Sequence, residues 1–105
     1  MAENHIDLNG DWIGLYQGHH DEVIRLTHVG ERVEAVKITG DNNAPAGEIT
    51  FRATLRGIGG EGEGQIAETE FRNPRFIPGR LHVIDENHIV FEWTGLGSVE
   101  FRRDV

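Results

Sequence analysis

Lys37, Thr39, Asp41 and Asn43 stand together in KITGDNNAPAGEITF, residues 37–51, and Lys37 is the only lysine of the chain. An ammonium, a hydroxyl, a carboxylate and a carboxamide so close together offer donors and acceptors to one polar ligand. The lysine attracts a carboxylate or a carbonyl oxygen. Asp41 accepts N–H groups from a terminal amide or a backbone, and Thr39 adds a short donor and acceptor between them. Tyr16 and Trp93 are the aromatic residues placed to wall such a pocket. The chemistry implied is recognition of a peptide end or a small polar ligand.

Other chemistries lack their residues. Cysteine is absent, so disulfides and thiolate catalysis are excluded. Ser98 is the single serine and lies in no Gly-x-Ser-x-Gly elbow. GIGGEGEG, residues 57–64, is glycine-rich but lacks the Lys-Ser/Thr ending of a phosphate loop. His19, His20 and Glu22 carry zinc-binding side chains, but adjacent histidines at a strand end point to opposite sides. They read as a polar turn, and neither a metal nor a cofactor is expected. No enzyme activity is expected; a metal-dependent enzyme is the remote alternative. The net charge of −8 repels phosphate backbones, so nucleic acid is excluded as a partner. Nine arginines accompany Lys37, and arginine is the better residue for bidentate carboxylate contacts.

The elements that must position these residues are strands. DWIGLYQG (11–18) alternates, with Trp12, Gly14 and Tyr16 on one face. EVIRLTHV (22–29), RVEAVKITG (32–40) and GEITFRATLRG (47–57) follow; in the last, Ile49, Phe51, Ala53 and Leu55 oppose Glu48, Thr50, Arg52, Thr54 and Arg56. IGGEGEG (58–64) reads as a mobile connection, QIAETEF (65–71) as a weak strand and RNPRFIPG (72–79) as an irregular corner. RLHVID (80–85), HIVFEWTG (88–95) and SVEFRRD (98–104) complete about eight short strands, with no sustained helical stripe. A chain of 105 residues fits one domain, with its core in residues 10–103. The expected fold is all-β, a small antiparallel up-and-down barrel, because closure removes exposed edges. A two-sheet sandwich is the structural alternative. A barrel also admits a lipid or haem carrier, on fold analogy alone.

In the third strand the spacing puts Val36 and Ile38 on the buried face, with Lys37 and Thr39 opposite. The loop that follows is longer than a plain hairpin requires. Asp41, Asn42 and Asn43 fold such a loop through side-chain-to-backbone turns, Pro45 stiffens it, and Gly47 permits a positive φ on re-entry. It is built to be ordered, and ordered loops at a barrel rim are where binding groups sit. The exposed Arg52 and Arg56 face adds a possible contact to acidic partners.

The stretch 15–51 resembles the D-type-cyclin-binding domain of a family of F-box proteins. The resemblance rests on Gly14 to Tyr16, His19 or His20, Glu22, and the block from Lys37 through Gly47. It extends through Ile66-Ala67, Phe71, Pro74, Pro78-Gly79, Asp85-Glu86, Phe91 and Trp93, over residues 10–103. It implies a lipocalin-like (calycin-like) barrel that grips the C-terminal tail of a protein, as the substrate receptor of a ubiquitin ligase does. The F-box segment is missing here, and IGGEGEG stands where family members carry a long insertion. The expected form is therefore a minimal free-standing domain with Lys37, Thr39, Asp41, Asn43, Tyr16 and Trp93 at the ligand.

MAENHIDLNG lacks the basic and apolar regions of a signal peptide, and no apolar run reaches the length of a membrane span. A cytoplasmic protein is expected, with no membrane partner. The oligomeric state is not encoded in any feature of the sequence.

Overall fold

A computed structural model describes residues 6–15, 22–40 and 43–104. Eight strands follow one another: β1 Gly10–Gly14, β2 Glu22–Val29, β3 Arg32–Lys37, β4 Ile49–Thr54, β5 Gly59–Glu68, β6 Arg72–Asp85, β7 His88–Trp93 and β8 Gly97–Arg103. Each pairs antiparallel with its neighbour in sequence, and β8 returns to β1 through Trp12↔Arg103 and Gly14↔Phe101, closing the barrel. The expected fold class is borne out. One turn of 3-10 helix, Thr69–Phe71, joins β5 to β6.

Alternation builds the core. Trp12, Ile24, Leu26, Val33, Ala35, Phe51, Leu81, Ile89, Phe91 and Phe101 are all at most 1% exposed. Phe51 and Phe91 stack at 4.3 Å, Phe101 leans against Phe51 at 5.7 Å, and Trp93 meets Phe91 edge-on at 4.8 Å. These side chains fill the interior as one cluster, one of the two arrangements open to a barrel of eight strands.

Two expectations fail at β5 and β6. Residues 58–64 are not a mobile connection, because Gly59–Glu68 is a strand. Residues 72–79 are not an irregular corner, because they open the long strand β6. Gly60, Gly62 and Gly64 take the inward positions of β5, where side chains would collide with β4 and with Trp93. A hydropathy pattern cannot register residues that pack by having no side chain.

One end is plugged. The Trp12 indole N–H donates to Leu8 O at 2.9 Å. The Arg103 guanidinium lies 4.5 Å from the Trp12 ring and donates to Asp7 O, Asn9 O and Glu86 O at 2.8 to 3.1 Å. Arg103→Ala removes this clasp, and the expected loss is about 2–3 kcal/mol. Thermal unfolding checks it: the midpoint falls by roughly 10–20 °C, and Arg103→Lys recovers only part, since one ammonium does not span three carbonyls.

Candidate functional site

The open end lies at the rim where β3 passes to β4, β5 to β6 and β7 to β8. Four groups at this rim come from inward positions or from a break in the strand pattern.

Lys37 ends β3, whose buried residues are Val33, Ala35 and Lys37. It is 8% exposed, while Ile38 is 39% exposed. The expected faces are therefore reversed: Lys37 points into the barrel and Ile38 points out. Val33 and Ala35 set the inner face; the heavier apolar pair Val36 and Ile38 misleads the count, and a buried lysine is rare enough to discourage the correct one. Glu22 is likewise 8% exposed at the start of β2, two positions from Ile24, the cross-strand neighbour of Lys37. An inward carboxylate and an inward ammonium thus share this end.

Thr39 ties the rim together. Its hydroxyl donates to Glu22 Oε2 at 2.6 Å and accepts the Val23 N–H at 3.0 Å. Its main role here is to fix the carboxylate and the start of the loop. The loop closes through Gly47 N–H to Lys37 O at 2.8 Å, with Gly47 at φ 93°, the positive φ that its sequence context requires. Asn43 is exposed, and its Nδ2 reaches across to Ala67 O at 2.8 Å. Tyr16, Asp41, His19 and His20 lie outside the described residues.

Trp93 continues the Ile89–Phe91 face as expected and is 9% exposed. Its indole fills the space beside Gly64, where a Cβ would stand 2.6 Å from Trp93 Cδ1. Thr50 was expected on the outer face but is 3% exposed. Ala35 pairs with Phe51 and Val36 with Ile49, so Thr50 is the extra residue of a β-bulge, and bulges re-aim side chains. No alternation count reveals such an insertion.

Lys37, Asn43, Thr50 and Trp93 line a cavity of about 340 Å³ with Gln65, Ile66, Ala67, Leu96, Ser98 and Val99, while Glu22 and Thr39 are not in its lining. Among its polar groups, Trp93 Nε1, Thr50 Oγ1 and Gln65 Oε1 are buried and have no hydrogen-bond partner among the described residues. An unpaired buried donor or acceptor costs about 1–3 kcal/mol, so native proteins keep few without a use. The site thus offers an indole donor, a hydroxyl and an amide acceptor on apolar walls, with Lys37 in the same lining. Thr50 and Gln65 are the functional candidates that sequence reasoning missed.

A larger groove, about 1120 Å³, crosses the outer face of β2 to β6. Three of its arginines are paired within the fold: Arg52 with Glu63 at 2.6 Å, Arg80 with Glu61 at 3.1 Å, and Arg56 with Glu31 at 3.9 Å. The Arg52 and Arg56 face is therefore a solvated charge ladder, and the smaller cavity carries the functional argument. Among the described residues no cluster of three or more histidine or acidic side chains is placed to hold a metal, and no helix is long and apolar enough to cross a membrane.

A family model described as the cyclin D1 binding domain matches residues 2–61 and 54–105. The chain is similar to "Protein EXECUTER 2, chloroplastic" of Oryza sativa subsp. japonica, 34% identical over 107 residues that cover 74% of this chain and 17% of that protein. It is similar to "Protein EXECUTER 1, chloroplastic" of Arabidopsis thaliana, 37% identical over 76 residues, covering 56% of this chain and 11% of that protein. F-box only protein 31 of Homo sapiens is 44% identical over 43 residues, covering 41% of this chain and 8% of that protein. The chain thus spans 17% or less of the length of each of these relatives. The expected cytoplasmic location is overturned here: four relatives carry chloroplastic names. The composition of a small barrel does not encode its compartment, which is set by address segments.

Proposed function

This chain belongs to the cyclin D1 binding domain family, and from that premise we propose that it is a non-catalytic protein-binding module whose barrel mouth holds the end of another protein's chain. The observation that carries this is the cavity at the open rim. Its buried Lys37, Trp93 Nε1, Thr50 Oγ1 and Gln65 Oε1 meet on apolar walls. A chain terminus presents what this set recognises: oxygen acceptors for the lysine and the indole N–H, and an amide N–H for the glutamine oxygen. A barrel plugged by Arg103 and Trp12 at its other end admits a chain end and not a chain passing through. The exposed side chains of Leu15, Ile38 and Leu96 add apolar surface for the residues behind that end. A small polar ligand of the same chemistry is the second reading, supported by the cavity volume alone. For location, the names of the relatives support a chloroplast. Their remaining domains lie outside the matched region, so no activity of theirs is carried over.

Titration of short peptides, as free carboxylates and as C-terminal amides, tests the reading through tryptophan fluorescence. Trp12 is fully buried at the plugged end, so the signal reports Trp93. We expect saturable binding for one class of end group. Trp93→Phe keeps a ring and removes the donor, and should weaken binding about fivefold or more. Full affinity in Trp93→Phe would take the indole N–H out of the site.

A further inference from the structure

The barrel wall is not evenly closed beside this cavity. β4 and β5 pair at Phe51↔Gly64, Arg52↔Glu63 and Ala53↔Gly62. β5 then runs on to Glu68 with no strand on its β4 side among the described residues. On the other bank, the bulge at Thr50 turns β4 towards β3. The result is a lateral slot, continuous with the cavity, with Ile49 and Thr50 on one bank and Gln65, Ile66 and Ala67 on the other.

Asn43 reaches across the slot. The Asn43 carboxamide donates to Ala67 O at 2.8 Å, where the backbone N–H of an adjoining strand would donate. Both banks also carry buried acceptors or donors without partners among the described residues, Thr50 Oγ1 and Gln65 Oε1, and Thr50 is 3% exposed. A strand edge already contacted by an amide N–H, beside two unpaired polar groups, is suited to an extended main chain and not to an apolar side chain.

We propose that the slot takes the backbone of the bound peptide as a short added strand along Gln65–Ala67, with Asn43 standing in for its N–H when no peptide is there. This rests on the chain-end reading and deepens it: the partner is an extended, unstructured tail. Main-chain hydrogen bonds supply affinity that tolerates many sequences, and the cavity reads the end group. The far edge of the β5–β6 pair is a poorer template, because Pro74 and Pro78 bring no N–H to β6.

The test is an N-methyl scan of a peptide that binds, one backbone amide at a time, with the full chain. A single position near the end should lose at least tenfold in affinity when methylated, and positions farther back should lose nothing. Asn43→Ala should bind the unmethylated peptide at least as tightly as wild type. Peptides that bind with no position losing more than twofold would overturn the added strand and leave the chain-end reading intact. A loss of tenfold or more in Asn43→Ala, with the fold confirmed by circular dichroism, would make Asn43 a direct contact and overturn its stand-in role. Absence of binding by every peptide would overturn both readings.

Discussion

Lys37→Met weakens peptide binding about 30-fold or more and leaves the barrel folded. Methionine keeps the unbranched apolar stem that fills the inner end of β3 and removes only the ammonium. Lys37 is 8% exposed, so its charge is largely shielded from water, and an interaction with a terminal oxygen there is stronger than at the surface. Removing one partner of a desolvated charged contact costs about 2–5 kcal/mol, which is the source of the fold-change. Isothermal calorimetry on wild type and variant checks the effect. Unaltered affinity would assign Lys37 to the architecture of the rim, and cooperative thermal unfolding of the variant guards against a trivial loss.

Gly60→Ala should be the most damaging small substitution in the wall, costing about 3 kcal/mol or more. A Cβ at Gly60 would run into Thr54 O, with Thr54 C at 2.7 Å and Leu55 Cα at 3.0 Å. All three are backbone atoms of β4 or its continuation, so no side chain can swing aside. The two strands must separate where they are already joined by few pairs. The unfolding midpoint is expected to fall by roughly 12–24 °C. By contrast, Gly30→Ala, with nothing within 4 Å of its Cβ, pays only for its φ of 60°, about 1 kcal/mol. Equal losses in the two variants would show that conformational strain, and not close strand approach, governs these glycines.

The alternation of Phe51, Ala53 and Leu55, and of Ile89, Phe91 and Trp93, was readable because one face of each strand is apolar and the other charged. It was enough for the strand count and the closed barrel; the family came from the resemblance carried by Lys37 through Gly47 and its companion residues. The rim was legible only in part. Lys37 and Trp93 were singled out, but the face of Lys37 came out reversed because the inner residues Val33 and Ala35 are smaller than the outer Val36 and Ile38. Thr50 was hidden by a bulge, which depends on pairing with β3 and leaves no local mark. Gln65 was placed in a strand without a role, since the cavity it lines is completed by residues distant in sequence, Asn43 and Trp93 among them. Strand β5 was unreadable for a different reason: its inward residues act by close backbone approach, which composition presents as a flexible tract. Tyr16 and Asp41 stay expectations from the family pattern.

Lys37, Trp93 and Gln65 are proposed to read a chain end at the mouth of the barrel. The most direct measurement compares one bound peptide with the same peptide lengthened by two glycines beyond its terminus, against the wild-type protein. The account predicts that the lengthened peptide loses at least tenfold in affinity, because its end no longer reaches Lys37, Trp93 and Gln65 with the preceding residues in register. Equal affinity for both peptides would contradict it and would make the barrel a reader of internal sequence.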